Sequence, residues 1–394
     1  MRQIDVTERR RRLAVRHGLS NGGPSDDPAH VTRRLVALHG TDPATVFLSL
    51  RARSSQHITP ATIEDSLYER RDLVRMLAMR RTVFVVPAES VPVLQAAATN
   101  RIAKDQRTLL LKHLREISDV ADPDPWLTEV EKSVLALFGQ YRAPLSAAEL
   151  SAAEPRLKTT LRMAEGKPYQ ATQNITSRVL LILAAQGHIV RGRPIGTWLS
   201  QQYRWSLTED WLPALKPHAG TERQAKAELA RLWLTAFAPA PLTDLKWWTG
   251  WTVTQVRQAV ADIGATEVDL ERGAGVTLPG DLADTPDPGP WVALLPALDP
   301  TVMGWSDRSW FLGPHGPALF DAFGNAGPTI WLDGRIVGGW AQRKTGEIAL
   351  KVLEDVGSEA MARIEGEAGR LASWLADVRV IPRFRTPTER ELCS

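Results

Sequence analysis

The stretch Val31–Arg53 constrains the fold most, because two apolar segments of helical spacing meet there at a short polar break. The apolar spacing predicts a first helix over Thr32–Leu38. A second helix is expected to begin with Asp42 as its N-cap and Pro43 at its first position, where the missing N–H of proline costs little. Three polar side chains should therefore cluster at a corner between two helices: His39, Thr41 and Asp42.

This corner has a structural interpretation and a functional one, and the pattern alone leaves both open. Capping and local backbone hydrogen bonds are ordinary uses of such residues, so Asp42 could only cap, Thr41 could only bond the backbone and His39 could only end a helix. A functional role is suggested by the flanking cations Arg33, Arg34, Arg51 and Arg53.

Composition indicates a folded protein with a polyanionic partner. The chain has 394 residues and 43% hydrophobic content, enough for two to four domains with their own cores. Residues 1–120 carry 20 Lys and Arg against 13 Asp and Glu, a net charge of +7. Residues 221–394 carry 17 against 23, a net charge of −6. A positive front part joined to an acidic back part favours a polyanionic partner for the front part.

Several classes of protein find no support in the sequence. The single cysteine, Cys393, allows no intrachain disulfide, and eight scattered histidines lack metal-ligand spacing. Walker A, GxGxxG, HExxH, CxxC and GxSxG motifs are missing, so we expect no cofactor and no metal. The longest apolar runs, such as Val179–Ala185, are far shorter than the ~20 residues of a membrane span. The basic N-terminus is not followed by an apolar segment, so we expect a cytoplasmic protein without membrane contact. We also expect a monomer.

The order of elements predicts an α+β fold with three tandem winged-helix units and a β-rich C-terminal domain. The first unit, residues 1–121, should have an Arg-rich helix over 1–20 and a helix that starts at Thr59-Pro60 and continues through Leu77. The strand Thr82–Val86 and one or two helices over Ser90–Ile117 should complete it.

The second unit, residues 122–218, should begin with a linker over Asp122–Pro125. Three helices are expected, over Trp126–Phe138, over Leu145–Leu150 with Ser146 and Glu149 as a capping box, and over Thr172–Gln186. Strands over 188–191 and 197–207 should form a wing, with Arg191 and Arg193 at a tip that meets DNA phosphates. The alternative is a solvated basic turn.

The third unit, residues 219–280, should have helices over Glu222–Phe237, Thr243–Trp248 and Thr254–Ile263, then a small wing over 268–278. Its bunched tryptophans are expected to be core residues instead of base-stacking platforms, because Trp usually buries. These are Trp247, Trp248 and Trp251.

The C-terminal domain, residues 281–394, follows a linker over Asp281–Pro290 and should form a small barrel or curled sheet. Its expected elements are strands Trp291–Leu295, Thr329–Leu332, Arg335–Gln342, Glu347–Leu353 and Val378–Ile381, and helix Glu359–Leu375. Asp333-Gly334 predicts a type I′ turn, which should place Arg335 at a hairpin tip.

Three stretches carry a family resemblance: Leu35–Arg53 (LVALHGTDPATVFLSLRAR), Asp244–Trp251 (DLKWWTGW) and Leu294–Arg343, which contains LLPALDPTVMGWSDR and LFDAFGNAGPTIWLDGRIVGGWAQR. Together they resemble the bacterial winged-helix DNA glycosylases that include the azinomycin-adduct glycosylase. The resemblance implies tandem winged-helix units around a basic concave DNA surface. It also implies hydrolysis of the N-glycosidic bond of bulky or crosslinked N7-alkylguanines, in DNA repair or genotoxin self-resistance.

The catalytic signature of that family is Gln-apolar-Gln in a context such as Leu-Gln-Ala-Gln-Asp-Pro, whereas this chain has Leu-His-Gly-Thr-Asp-Pro over residues 38–43. By the resemblance, His39 and Thr41 occupy the two glutamine positions. N7-alkylguanine is a cationic leaving group, so the enzyme must chiefly position a water and stabilise positive charge on the sugar. His39 would accept the proton of the water, Thr41 would orient it and Asp42 would place negative charge near the sugar.

Two hypotheses follow. The chain is a glycosylase that uses this altered motif, or it is a non-catalytic regulator or lesion sensor that kept the scaffold. In either case the candidate DNA contacts are Arg33, Arg51, Arg53, Arg191, Arg193, Arg335 and Arg343.

Overall fold

The computed structural model describes residues 1–20, 23, 25–55, 58–116, 120–163, 171–382 and 385–394, and it combines helices with open sheets. The elements of the first region are β1 (Arg2–Gln3), α1 (Val6–Arg16), α2 (Pro28–Arg34), β2 (Leu38–His39), α3 (Pro43–Arg51), α4 (Pro60–Glu64), β3 (Leu73–Ala78), β4 (Thr82–Pro87), α5 (Val91–Leu94) and α6 (Asn100–Arg115). A π-helical turn, Asp65–Glu69, extends α4, and a second, Gln95–Thr99, joins α5 to α6. Short 3₁₀ turns occupy Met79–Arg81 and Ala88–Ser90.

The helix predicted over Thr32–Leu38 is wrong. Helix α2 ends at Arg34, and Val36 adopts a φ of 65°, a left-handed conformation that is rare for a β-branched residue. The chain then enters β2, which pairs with β4 through Leu38 and His39. The polar corner therefore lies between a strand and a helix, at the edge of a sheet with the order β2–β4–β3.

The helix predicted to run through Leu77 is also wrong in its second half. The predicted start is confirmed, since α4 begins at Pro60 and the Thr59 hydroxyl caps it by accepting a hydrogen bond from the Thr62 N–H at 3.2 Å. Residues Leu73–Ala78 instead form β3, which pairs with β4 along its whole length. The predicted strand at 82–86 is confirmed as β4.

The second region contains α7 (Pro123–Tyr141), β5 (Leu145–Ser146), α8 (Ala147–Ala153), the 3₁₀ turn Pro155–Lys158, β6 (Thr160–Met163), β7 (Ala171–Asn174), α9 (Thr176–Ala185), β8 (Ile189–Pro194), β9 (Tyr203–Leu207) and α10 (Thr208–Trp211). The capping box of Ser146 and Glu149 is confirmed. Two predicted boundaries are wrong, because Pro123 already begins α7 and because residues 172–174 belong to a strand. The predicted hairpin is confirmed as β8 and β9, but its turn is wrong, because Arg191 and Arg193 lie within β8 and the chain turns over 195–202.

The third region contains α11 (Glu222–Phe237), α12 (Leu242–Thr249), α13 (Val253–Asp262), β10 (Thr266–Leu270) and β11 (Gly273–Thr277), in the predicted order. Strand β1 pairs in parallel with β10, so the first residues of the chain complete the sheet of this third region. Trp248 and Trp251 are buried as predicted, and Trp247 is half-buried. Asp281, in the predicted linker, forms ion pairs with Arg12 and Arg16 of α1.

The C-terminal region contains β12 (Val292–Leu295), α14 (Pro300–Met303), α15 (Ser309–Leu312), the 3₁₀ turn Gly313–His315, α16 (Gly316–Leu319), β13 (Thr329–Leu332), β14 (Arg335–Gln342), β15 (Ile348–Val352), α17 (Gly357–Leu375) and α18 (Pro387–Leu392). Of the two expected forms, a small barrel or a curled sheet, the barrel is wrong, because the four strands form an open antiparallel sheet in sequence order. The expected strand at 378–381 is also wrong. The Asp333-Gly334 turn has φ angles of 48° and 87°, as a type I′ turn requires.

One hydrophobic core joins the first, third and C-terminal regions, with members from Leu13 to Val380. Most of the buried apolar residues of the second region form a separate cluster, from Leu110 to Trp205. The polar stretch 39–42 thus belongs to the part of the molecule where three regions share a core. Within the described residues, we find no helix that is both long and apolar enough to span a membrane.

Candidate active site

The polar loop of residues 39–42 is held by one hydrogen bond at each of its ends. The Gly40 N–H donates to the Val83 carbonyl oxygen of β4 at 2.8 Å. Asp42 caps α3, because its Oδ1 accepts a hydrogen bond from the Ala44 N–H at 3.0 Å. The predicted cap is therefore confirmed, and His39, Thr41 and Asp42 lie together at the N-terminus of α3.

His39 is largely enclosed, and its imidazole ring is uncharged at neutral pH. Its Nδ1 is buried, and neither ring nitrogen has a hydrogen-bond partner within the described part of the chain. The ring contacts Phe84 edge-on, with 5.6 Å between the centroids. Burial and, to a smaller extent, the nearby positive charge of Arg80 together lower the pKa of His39 to about 4. A neutral imidazole with an unpartnered nitrogen can accept a hydrogen bond and then a proton from water.

Thr41 and Asp42 differ in their surroundings. Thr41 is exposed, and its hydroxyl has no partner among the residues that the structure describes. Asp42 is half-buried, and burial raises the pKa of its carboxyl group. The hydrogen bond from Ala44 and the charge of Arg75 oppose that rise. The loop therefore combines a neutral base, a free hydroxyl and a carboxylate whose second oxygen is not used by the cap.

Arg75, which the sequence analysis did not single out, stabilises the main chain of this loop. It lies in β3 with only 4% of its surface exposed, and its Nη1 donates to the Gly40 carbonyl oxygen at 2.9 Å. A Cβ added at Gly40 would lie 3.2 Å from the same Nη1, so the guanidinium and a larger residue would compete for space. A single arginine within the apolar run 73–78 was the signal that could have revealed it.

Helix α3 is joined to the C-terminal region along one face. Thr45, Ser49 and Arg53 are spaced by four residues, so they project from the same side of the helix. The Thr45 hydroxyl donates to the Ala297 carbonyl oxygen at 2.7 Å, and the Ser49 hydroxyl donates to Asp299 at 2.7 Å. Arg53 donates to both carboxylate oxygens of Asp299, at 2.9 and 2.6 Å. These bonds fix the direction of the helix whose N-terminus carries the loop.

Arg53, expected at the DNA surface, is instead only 1% exposed, and its partner Asp299 is fully buried. The Arg53 Nη2 also donates to the Thr301 hydroxyl at 2.6 Å, which lies 2.8 Å from the His17 Nδ1. Arg51 is mostly buried and forms an ion pair with Glu367. Neither guanidinium has a free face for a phosphate in this arrangement.

The other candidate DNA contacts have partners within the protein. Arg191 packs over Tyr203 and Trp205, with 5.7 and 5.2 Å to the ring centroids, and burial lowers its pKa to about 10. The remaining four are about half exposed, and each forms an ion pair with glutamate: Arg33 with Glu89, Arg193 with Glu64 and Glu69, Arg335 with Glu354, and Arg343 with Glu347.

Two exposed arginines beside the loop were missed. Arg80 and Arg81 form the turn between β3 and β4, with φ angles of 54° and 59°. The Arg80 guanidinium lies 4.0 Å from the centroid of the Trp247 ring. Neither arginine forms an ion pair with a residue that the structure describes, so both keep their donors available. No group of three or more His, Cys, Asp or Glu in the described ranges is placed to hold a metal ion.

Comparison with known proteins identifies a family and a solved structure of similar fold. A family model described as DNA glycosylase AlkZ-like matches residues 32–374. Among solved structures, the DNA glycosylase AlkZ of Streptomyces sahachiroi has a similar fold, with a TM-score of 0.74 and 20% sequence identity over 96% of this chain and 98% of that chain. At that identity the structural likeness shows the fold alone. A search of curated proteins found no match.

Proposed function

The chain belongs to the AlkZ-like DNA glycosylase family, and from this premise we propose that it hydrolyses the N-glycosidic bond of bulky or crosslinked N7-alkylguanines in double-stranded DNA. The observation that carries the proposal is the uncharged imidazole of His39, which lies at the end of β2 just before α3 and has no hydrogen-bond partner among the described residues. A role in DNA repair or genotoxin self-resistance would follow from that activity.

In the proposed reaction, water attacks C1′ of the deoxyribose as the bond from C1′ to N9 of the alkylated guanine breaks. Alkylation at N7 makes the base cationic, so it leaves as a neutral molecule without an acid from the protein. His39 takes the proton that the attacking water loses, and Thr41 orients that water. Asp42 stabilises the positive charge that develops on the sugar. The products are the free alkylated base and an abasic site.

We propose that DNA lies along the tandem winged-helix units, each of which has helices and a three-stranded sheet. The sheets β2–β4–β3, β5–β9–β8 and β1–β10–β11 support this assignment. Arg80 and Arg81 are the best placed phosphate contacts, since both are exposed and unpaired with acids, and the charge of Arg80 acts on His39. Four earlier candidates can exchange a glutamate for a phosphate: Arg33, Arg193, Arg335 and Arg343. We no longer propose Arg51, Arg53 or Arg191, because they are buried.

A second candidate function is a lesion sensor or regulator that binds DNA without cleaving the glycosidic bond. The specific observation in its favour is the replacement of both motif glutamines by His39 and Thr41. The two functions share a DNA surface, so only catalysis separates them.

The test is release of base from a duplex that carries one bulky N7-alkylguanine, with an unmodified duplex of the same sequence as control. We expect free alkylated base, detected by mass spectrometry, and an equal amount of abasic sites, detected by alkaline cleavage. Both should form well above the spontaneous rate of depurination. Tight binding to the adducted duplex without release of base would contradict the glycosylase proposal and favour the sensor.

A further inference from the structure

Phe323 is the most exposed large hydrophobic side chain in the described part of the protein, with 83% of its surface accessible. A singly exposed apolar residue is ordinary on a protein surface. What distinguishes Phe323 is the loop that carries it, residues 320–326, which connects α16 to the segment before β13.

Hydrogen bonds within this loop hold the phenylalanine outward. The Asp321 Oδ1 accepts from the main-chain N–H groups of Phe323 and Asn325, at 2.8 and 2.9 Å. The Asp321 Oδ2 accepts from the side-chain amide of Asn325 at 2.9 Å. Gly324, with a φ of 80°, makes the turn directly after Phe323. An exposed aromatic ring on a preorganised loop loses little conformational entropy when it binds.

Both ends of the loop are connected to the candidate active site. At one end, the Ala326 carbonyl oxygen accepts a hydrogen bond from the Leu298 N–H at 3.0 Å. The residue before Leu298 accepts the hydrogen bond from Thr45, which lies one helical turn from Asp42.

At the other end, the Arg308 guanidinium lies 4.9 Å from the centroid of the Phe320 ring and 5.1 Å from that of Trp247. The Trp247 ring also contacts the guanidinium of Arg80, the cation whose charge acts on His39. Chains of contacts therefore lead from both ends of this loop to the loop of residues 39–42.

We infer that Phe323 is a wedge that enters the base stack of duplex DNA next to the alkylated nucleotide. An apolar side chain between base steps unstacks and kinks the duplex, and enzymes that act on a base must first take it out of the stack. The ring would fill the space that the displaced base leaves. It would thereby keep the C1′ atom of that nucleotide accessible to the loop of residues 39–42. The inference rests on the proposed function for its biological meaning, but the insertion itself does not require catalysis.

The experiment places 2-aminopurine next to the alkylated guanine, because the fluorescence of 2-aminopurine rises when it is unstacked. The wild-type protein should raise the fluorescence of the duplex, Phe323→Leu should preserve the rise because leucine is also an apolar wedge, and Phe323→Ala should remove it. Base release from the duplex should fall about tenfold or more in Phe323→Ala, whereas release from single-stranded DNA should not change, since no stack has to be opened there. Tyr141→Ala, at another exposed aromatic residue, is the matched control and should behave as wild type.

The outcomes separate the two proposals. A fluorescence rise that depends on Phe323, without any release of base, would support the wedge and contradict the glycosylase. Release of base by the wild-type protein with equal rate and equal fluorescence in Phe323→Ala would overturn the wedge and leave the glycosylase standing. Thermal unfolding of each variant checks the fold, and we expect no change because the ring is exposed.

Discussion

His39→Ala should lower the rate of N7-alkylguanine release by about 10²–10⁴-fold, the contribution of a positioned general base. DNA affinity should change little, because the interaction with the attacking water is made mainly in the transition state. No hydrogen bond of the imidazole to a described residue would be lost, so any loss of stability should come only from the packing of the ring against Phe84. The measurements are single-turnover base release, a DNA-binding titration and thermal unfolding of the same preparations.

Two variants sharpen this prediction. His39→Gln restores the residue type of the family motif and should keep much more activity than His39→Ala, because an amide can still position water. His30→Ala, at an exposed histidine of α2, is the matched control and should leave the rate unchanged. Equal rates in wild type and His39→Ala would contradict the assigned role of His39.

Asp299→Ala should destabilise the protein by about 3–5 kcal/mol, the typical cost of leaving one member of a buried ion pair without its partner. The Arg53 guanidinium would remain buried, and Ser49 would lose its acceptor. The cap of α14 would also be lost, because the Asp299 Oδ1 accepts from the Thr301 N–H at 2.9 Å. The measurement is the urea concentration at half unfolding.

Glu347→Ala is the control for this second prediction. It removes an ion pair of similar length with Arg343, but both side chains are about half exposed, so the expected loss is only about 0–1 kcal/mol. If Asp299→Ala unfolds at the same urea concentration as Glu347→Ala, the buried pair does not hold α3 to the C-terminal region.

Local signals in the sequence predicted the local structure well. The cap at Asp42, the capping box at Ser146 and the type I′ turn at Asp333-Gly334 were each correct, because the atoms involved lie within a few residues of one another. The helices predicted over Thr32–Leu38 and through Leu77 failed for the opposite reason. Pairing of β2 and β3 with β4 decides those segments, and periodicity within a short window does not contain that partner.

The candidate site was likewise predicted only where the signal was local in sequence. The resemblance found the loop of residues 39–42, but it could not assign the arginines, because their partners are remote in sequence. Arg53 and Asp299 are 246 residues apart, and each belongs to a stretch that carried the resemblance. Those two stretches therefore contact each other. Some of the residues that carry the resemblance, such as Arg53 and Asp299, stabilise the fold. Arg75 and Arg80 were missed because the β3–β4 hairpin that places them was not predicted as such.

The pKa of His39 also affects stability. Because burial lowers it from 6.5 to about 4, the unfolded chain binds more protons than the folded protein between these two values. The contribution of His39 to the free energy of unfolding should thus fall as pH decreases through that window. Circular dichroism at each pH must accompany any kinetic measurement in acid.

The pH dependence of single-turnover base release by the wild-type protein, corrected for spontaneous depurination, tests the central claim most directly. We predict a rate that is constant from neutral pH to about pH 5 and falls through pH 4, as the neutral imidazole of His39 is lost. The same acidic limb should be missing in His39→Gln. A limb near pH 6.5, an identical acidic limb in His39→Gln while both proteins remain folded, or no release of base at any pH would contradict the account.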